Sequence, residues 1–214
     1  MFVGKRMKTG VVTVSPADTL RRAGSLLKEH RIHHLPVLEG GELVGIVTDT
    51  DIRNARLEEG RDAPESAPAD RTVGEVMTRD VVTLSPRDTV EDAALILRRM
   101  RFEAIPVVEG RRLVGIVAKA DIIGAFLDTL NIEAIGVRVD VLLPQDMASV
   151  LRLIRLLGEM QLAIRSLILS PRGEEFAAYV RVSTIDVASV RERLRSAGFR
   201  VPDAAELLDR GGHS

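Results

Sequence analysis

The stretch Leu43-Val44-Gly45-Ile46-Val47-Thr48-Asp49-Thr50-Asp51-Ile52 returns 70 residues later as Leu113-Val114-Gly115-Ile116-Val117-Ala118-Lys119-Ala120-Asp121-Ile122. Extending this pairing back to Met7 and Met77 needs no gap, and 22 of the 46 aligned pairs are identical. The chain therefore contains an internal duplication. A unit of this length that occurs only twice is too short for a solenoid, and it predicts two copies that close one shared core.

Each copy predicts a short strand, a helix, a β-hairpin and a second helix. In the first copy a β-branched run at residues 11–14 precedes a helix that has Asp18 or Thr19 as its N-cap. Residues 35–47 form the hairpin around two glycines, and a helix follows from about Asp51. The second copy repeats each step, with strands at residues 81–84, 105–108 and 113–117.

A different unit begins after Asn131, where the repetition ends. Apolar residues alternate with charged ones from Val137, which predicts a half-buried strand. The helix that follows carries one apolar stripe, formed by Met147, Val150, Leu151, Ile154 and Leu157.

The rest of this unit completes a β-α-β-β-α-β order. Residues 162–169 form a strand, residues 170–173 a turn, and residues 176–182 the next strand. Asp186 caps a second helix, and residues 199–201 form a last short strand. This order predicts an α/β (α+β) unit of the ferredoxin-like kind.

The chain therefore divides into five predicted parts. Pro64 and Pro68 break any helix between the copies, so that segment is expected to be an exposed connector. The parts are repeat 1 at 1–58, the connector at 59–72, repeat 2 at 73–131, the ferredoxin-like domain at 134–205 and a tail at 206–214.

Composition excludes several classes of function. A formal net charge of -1 and an aromatic content of 3% provide neither a basic patch nor a stacking surface for nucleic acid. Cysteine is absent, which removes disulfides, thiol nucleophiles and cysteine zinc sites. The N-terminus lacks the apolar core of a signal peptide and no stretch is as apolar as a membrane span, so we expect a cytoplasmic protein without membrane contact.

Thr48 and Asp51 lie where a predicted strand gives way to a helix. A carboxylate can accept hydrogen bonds from two ribose hydroxyls, a threonine hydroxyl can donate to a phosphate, and a helix N-terminus favours negative charge. The corner therefore suits a nucleotide. The same two residue types are also common helix caps, and the residues alone leave both interpretations open.

The duplicated pattern, from Met7 to about Leu130, resembles the CBS domain, whose tandem pairs (Bateman modules) are flat and contain two clefts. The resemblance implies a ligand such as AMP, ATP or S-adenosylmethionine. It places the phosphate at Thr48 and the ribose at Asp51. It also implies that the adenine of the first cleft contacts the start of the other repeat, at Met77, Val81 and Val82.

The second copy departs from this pattern, because Ala118 replaces the threonine and Glu103-Ala104 replaces His33-His34. The resemblance still implies a ribose at Asp121, with the base beside Met7, Val11 and Val12. We therefore expect the first cleft to take a phosphorylated ligand, and the second to take an uncharged nucleoside or nothing.

The histidines His30, His33 and His34 raise the alternative of a metal site. Neighbouring residues on a strand point to opposite faces, so a zinc site is not expected at His33 and His34. His34 is instead expected to face the first cleft, where its protonated form would favour a phosphate.

The C-terminal unit resembles the ACT domain by its order of elements. Ligand-binding ACT domains usually have a glycine in the first turn, where this chain has Pro144-Gln145-Asp146-Met147. This departure favours dimerisation over amino-acid binding. CBS repeats followed by an ACT-like unit resemble the acetoin utilisation proteins of the AcuB type over nearly the full length.

Neither a Gly-x-Ser-x-Gly nor a His-Glu-x-x-His motif is present, so no catalytic function and no catalytic cofactor are predicted. We expect a regulatory sensor that binds an adenosyl ligand and signals through a homo-oligomer to a protein partner. The alternative is a structural adaptor with vestigial clefts. Oligomerisation is expected because residues 162–169 are apolar on both faces, and the uncovered face of a sheet needs a second layer.

Overall fold

The structure, a computed structural model, describes residues 1–58, 71–132, 136–203 and 206. The chain divides into two units, Met1–Ala125 and Phe126–Ser214. Most of the predicted connector and tail lies outside the described residues.

Both copies of the duplicated segment fold as predicted around a helix, a hairpin and a second helix. The first copy consists of α1 (Leu20–His30), β1 (His34–Glu39), β2 (Glu42–Thr48) and α2 (Asp49–Glu58). The second copy opens with the short α3 (Val73–Val76) and continues with α4 (Val90–Met100), β3 (Ala104–Glu109), β4 (Arg112–Ala118) and α5 (Lys119–Thr129). The four strands form one sheet in the order β1-β2-β4-β3.

Local signals explain where α1 begins and ends. Thr19 is the N-cap, and its hydroxyl oxygen accepts a hydrogen bond from the backbone N–H of Arg22. The helix ends at Arg31, which has a left-handed conformation with φ of 52°. Thr89 and Arg101 have the same roles in α4, so the duplication preserves the caps as well as the core positions.

The predicted first strand of each copy is reduced to a single bridge, which corrects the prediction at residues 11–14 and 81–84. Val14 pairs with Val37, and Leu84 pairs with Val107. The Ser-Pro sequence that follows each bridge begins a turn, so the ladder cannot continue.

The opening segments of the two copies are exchanged. Val3, in a short 3₁₀ helix before the first copy, is buried in the core of the second copy. Val73 and Met77, at the start of the second copy, are buried in the core of the first. Each hydrophobic core is therefore completed by the segment that precedes the other copy.

The second unit contains β5 (Val137–Pro144), α6 (Met147–Glu159), β6 (Ile164–Arg172), β7 (Glu175–Val182) and α7 (Val187–Ser196). Its antiparallel sheet has the order β5-β7-β6. The strand predicted at residues 199–201 is only a bridge between Leu142 and Arg200. As predicted, Asp186 caps α7 by accepting a hydrogen bond from the N–H of Ser189.

The predicted apolar stripe of α6 was wrong in part. Val150 and Leu157 are buried, but Met147, Leu151 and Ile154 are 67%, 56% and 37% exposed. Leu153, outside the predicted stripe, is fully buried instead. This helix is apolar on more than one side, so the sequence period alone could not identify the side that packs against the sheet.

The turn predicted at residues 170–173 lies further along the chain. Ser170 and Pro171 continue β6 and pair with Ala177 and Phe176. Proline is tolerated there because β6 is an edge strand, with one side free of ladder hydrogen bonds. The chain reverses at Gly173, which has a φ of 62°.

Within the described part of the chain, no helix is both long and apolar enough to cross a membrane.

Candidate functional site

The first candidate site lies where β2 ends and α2 begins. The Oδ2 atom of Asp51 accepts hydrogen bonds from the N–H of Thr48 at 2.8 Å and from its hydroxyl at 2.7 Å. The N–H of Asp51 donates to the same hydroxyl oxygen at 3.2 Å. These reciprocal bonds form a capping box. No hydrogen bond reaches Asp51 Oδ1 from the described residues, so this oxygen can accept one from a ligand.

The second candidate site has the same backbone arrangement where β4 ends and α5 begins. Asp121 Oδ2 accepts a hydrogen bond from the N–H of Ala118 at 2.8 Å. The other carboxylate oxygen, Oδ1, lies 3.4 Å from the Lys8 ammonium nitrogen. Asp121 is 14% exposed and Lys8 is 70% exposed, so a largely buried carboxylate contacts a solvated cation.

A cavity of about 470 Å³ lies beside Asp121. This volume falls in the range of small-molecule sites, roughly 300–1,000 Å³. Both copies contribute to its wall, which includes Lys8, Val11, Val12, His34, Lys119 and Asp121. The structure thus brings together three of the four residues predicted for the second cleft.

The fourth, Met7, is not among the residues that line this cavity. It packs against Gly115, where a Cβ atom would lie 2.6 Å from the Met7 sulfur. Met77 packs in the same way against Gly45, also at 2.6 Å, and is buried. Both methionines therefore contact a glycine of a central strand, and the wall of the second cleft begins one residue later.

His34 lies between the two clefts. It lines the cavity of the second cleft, yet its pKa also responds to the charges of Asp49 and Asp51 at the first. Burial, followed by the charge of His33, lowers the pKa of His34 below its ordinary value, and the nearby carboxylates only partly oppose this. The imidazole is therefore mainly neutral at pH 7. Among the described residues, no group of three or more metal-ligating side chains is placed to hold a metal ion.

Ion pairs at equivalent positions distinguish the clefts further. Asp49, beside the first, contacts His33 at 3.3 Å and Arg53 at 3.2 Å. Lys119, which occupies the position of Asp49 in the second copy, contacts Glu103 at 2.5 Å. The hydrogen bond from Lys119 lowers the pKa of Glu103, so this carboxylate is ionised at neutral pH.

The duplication relates the geometry of the two clefts. Lys8 exchanges backbone hydrogen bonds with Ile116 at 2.9 and 3.0 Å, and Thr78 exchanges them with Ile46 at 2.9 Å. Lys8 and Thr78 therefore have equivalent places. Val81 and Val82 correspond to Val11 and Val12; Val81 is half-buried and Val82 is 36% exposed.

The sequence analysis missed Lys8 and Lys119. Both lie at positions where the copies differ, and the search for shared residues passed over them. Lysine is rare in this chain, which contains four, and two of the four line one cavity. That scarcity was a signal available in the sequence.

The CBS domain family matches residues 3–58 and 73–128. The CBS domain-containing protein YhcV of Bacillus subtilis is 38% identical over 116 residues, which cover 54% of this chain and 79% of that protein. The inosine-5'-monophosphate dehydrogenase of Korarchaeum cryptofilum is 39% identical over 113 residues, 52% of this chain but only 21% of the enzyme.

Solved structures match the same region. The CBS domain pair of protein MJ0100, in complex with 5'-methylthioadenosine and S-adenosyl-L-methionine, is 30% identical with a TM-score of 0.52, and the match covers 59% of this chain and 95% of that one. CBSX2 in complex with AMP is 29% identical with a TM-score of 0.52, over 59% and 96%.

A putative acetoin utilization protein (AcuB) from Vibrio cholerae is 24% identical with a TM-score of 0.54, and the match covers 62% of this chain and 95% of that one. At this identity the likeness concerns the fold of the CBS pair alone. Together with the duplicated clefts, the family match shows that the chain belongs to the CBS domain family and carries two of these domains in tandem.

Proposed function

We propose that this protein is a non-catalytic regulator that binds an adenosyl ligand in the clefts of its CBS pair. One observation carries the proposal: Asp51 and Asp121 each have one carboxylate oxygen held by a backbone N–H, and their second oxygen receives no backbone hydrogen bond and could accept one from a ribose, in competition with Lys8 at Asp121. AMP, S-adenosylmethionine and 5'-methylthioadenosine bind related CBS pairs, and these compounds and ATP are our candidate ligands.

In this proposal Asp51 and Asp121 accept hydrogen bonds from the ribose hydroxyls of their clefts. The base lies against Val81 and Val82 in the first cleft and against Val11 and Val12 in the second. Met77 and Met7 support these segments from the core side, since each packs on a glycine. The contact of Thr48 and His34 with a ligand phosphate in the first cleft, expected from the sequence, stays a prediction.

Calorimetric titration and native mass spectrometry test the proposal. Freshly purified protein is examined for a co-purified nucleotide, and AMP, ATP, adenosine and S-adenosylmethionine are then titrated into it. We expect at least one compound to bind, and the double variant Asp51→Ala/Asp121→Ala to lose that binding. Circular dichroism checks that the variant remains folded. Absence of binding by all four compounds would reject the proposal.

One observation favours the alternative, a structural adaptor with vestigial clefts. The hydroxyl of Thr48 and Oδ2 of Asp51 satisfy each other at 2.7 Å, so the first cleft is stable without a ligand. An adaptor would keep its oligomeric state and partner contacts whether or not nucleotide is added. The titrations above separate the two functions.

We further propose that the C-terminal unit is ACT-like and that the protein acts as a homo-oligomer which transmits ligand occupancy to a protein partner. Ile164 and Ile168 on the edge strand β6 are 38% and 37% exposed, and a second subunit would cover them. The cytoplasmic location expected from the sequence stays a prediction.

Light scattering on the full chain tests the oligomer. We expect a dimer or larger species at micromolar concentration, weakened by Ile168→Lys. Ile185→Lys is the matched control, because Ile185 is 97% exposed and lies outside the strands. A monomeric wild-type protein would reject the oligomer, and equal effects of the two substitutions would reject the role of β6.

A further inference from the structure

The charges around the two clefts differ at equivalent positions. Lys8, Gly10 and Lys119 line the second cleft, and the residues at the equivalent positions of the first cleft are Thr78, Asp80 and Asp49. Each of these three differences makes the second cleft more positive.

Two differences have the opposite sign: Glu103, which is paired with Lys119, stands where the first cleft has His33, and Thr9 stands where the first cleft has Arg79. The guanidinium of Arg79 donates a hydrogen bond to the backbone carbonyl of Gly74 at 2.8 Å, so this cation already has a partner in the protein. The prediction of a phosphate site in the first cleft thus stays a prediction, and the charges in the structure favour the opposite assignment.

Lys8 and Lys119 have different partners within the second cleft. Lys119 is paired with Glu103, whose carboxylate is held in its charged form. Lys8 is paired with Asp121, the carboxylate that would have to accept a ribose. Lys8 and a ribose therefore compete for the same oxygen, Oδ1.

The Lys8–Asp121 pair is easily broken. Lys8 is 70% exposed, and an ion pair with so solvated a partner contributes little stability. An uncharged nucleoside would separate the pair and return nothing to the lysine. A nucleotide would separate the same pair and supply its phosphate as a new anionic partner.

We infer that Lys8 determines which class of ligand the second cleft accepts: it covers Asp121 until a 5'-phosphorylated adenosine displaces it, and it then pairs with the phosphate. This inference rests on the proposed function and adds to it a division between the clefts. The second cleft selects anionic adenine nucleotides. The first, with Thr78 in place of Lys8 and with Asp49 and Asp80 nearby, selects uncharged or cationic adenosyl compounds.

The test measures the ratio of adenosine Kd to AMP Kd by calorimetry in the full chain with Asp51→Ala, which removes the ribose acceptor of the first cleft. We expect AMP to bind about 10-fold or more tightly than adenosine, as a charge-assisted hydrogen bond would produce. Adding Lys8→Gln should weaken the binding of AMP, strengthen the binding of adenosine and bring the ratio of the two Kd values close to one. Adding Lys28→Gln removes the same charge from an exposed position of α1 outside this cavity and should leave the ratio unchanged.

Salt dependence gives a second measurement. Raising the sodium chloride concentration should lower the ratio with Lys8 present and have little effect with Lys8→Gln, because salt screens a contact between exposed charges. A ratio that Lys8→Gln leaves unchanged, or a fall in affinity for both compounds together, would overturn the inference. Equal affinities of adenosine and AMP in the Asp51→Ala protein would overturn this inference but leave the proposed function intact. Failure of every adenosyl compound to bind either cleft would overturn the proposed function as well.

Discussion

The helix starts Thr48-Asp49-Thr50-Asp51 and Ala118-Lys119-Ala120-Asp121 share one backbone arrangement and differ in three of four side chains. In both, a backbone N–H lies 2.8 Å from Oδ2 of the aspartate. Around this common acceptor, one start carries two hydroxyls and a second acid, and the other carries two methyl groups and an amine. The two copies thus share the position of this carboxylate, while the charge beside it has diverged.

Substitution of either aspartate should have the largest effect on ligand affinity, and it tests whether the two clefts use the same acceptor. Asp51→Ala and Asp121→Ala should each weaken the adenosyl ligand of their own cleft by about 1.5–3 kcal/mol, because hydrogen bonds to a charged acceptor are lost. Titration of both variants with adenosine, AMP and S-adenosylmethionine measures the change. Asp51→Asn and Asp121→Asn are matched controls that keep an acceptor oxygen without the charge. Unchanged affinity in a folded variant would make that aspartate a helix cap alone.

The glycines of the two central strands should differ in their sensitivity to a methyl group. A Cβ at Gly115 would lie 2.8 Å from Met7 Cγ and 3.0 Å from the Lys8 carbonyl, whereas both equivalent distances at Gly45 are 3.1 Å. Gly115→Ala should therefore lower the free energy of unfolding by about 1–3 kcal/mol, and Gly45→Ala by less.

Urea unfolding of Gly115→Ala and Gly45→Ala shows which of the two variants loses more stability. Gly124→Ala is the control, since nothing lies within 4 Å of its added Cβ and alanine is the better helix former. Equal losses at the two strand glycines would mean that the methionine side chains move aside with the same ease.

The capping box should be transferable between the copies. Thr48→Ala removes the hydroxyl that bonds with Asp51 and should lower the free energy of unfolding by about 1 kcal/mol. Ala118→Thr places a hydroxyl at the same distance in sequence from Asp121 and should raise it by a smaller amount. Thermal unfolding of the two variants measures both effects, and Thr50→Ala is the control because this threonine, between the two box residues, makes none of the bonds of the box. A loss of stability with Ala118→Thr would show that the second corner cannot hold a hydroxyl.

The smallest expected effect concerns pH and His34, whose counterpart in the second copy is Ala104. An unfolded histidine has a pKa of about 6.5, and burial lowers the pKa of His34 in the folded protein. The unfolded chain therefore binds more protons between the lowered pKa and 6.5. Stability from the neutral imidazole is complete above this window and is lost as the pH falls through it.

Urea unfolding between pH 5 and 8 should show a shallower dependence for His34→Gln than for the wild type. The groups that act on His34 are His33, Asp49, Glu103 and Asp51, and none of them is changed by this substitution. His30→Gln, on the same cavity wall, is the control. If the free energy of unfolding varied with pH in the same way for His34→Gln and the wild type, a group other than His34 would cause the pH dependence.

The sequence predicted most of the fold of the CBS pair because two independent copies agreed. Leu35 pairs with Val47, and at the equivalent positions Ile105 pairs with Val117, so the two hairpins have the same register. The C-terminal unit has one copy and gave weaker predictions. There the face of α6 was wrong because adjacent sides of that helix are both apolar, and a proline in an edge strand looked like a turn.

The candidate site was predictable only where the copies match. Asp51 and Asp121 were found because a carboxylate recurs at one position. The family resemblance placed Met7, Val11 and Val12 beside Asp121 but did not single out Lys8, whose contact with Asp121 joins residues 113 positions apart. The residues near Lys8 in the sequence do not indicate this contact, which follows from the backbone pairing of Lys8 with Ile116.

The exchange of opening segments has a consequence for synthesis of the protein. The first hydrophobic core needs Val73 and Met77, so it stays open after residue 58 has left the ribosome and closes only when the start of the second copy emerges. The second core needs Val3, which must remain available until α5 has been made. Neither copy can mature alone during translation, and the pair should therefore fold in one late, cooperative step.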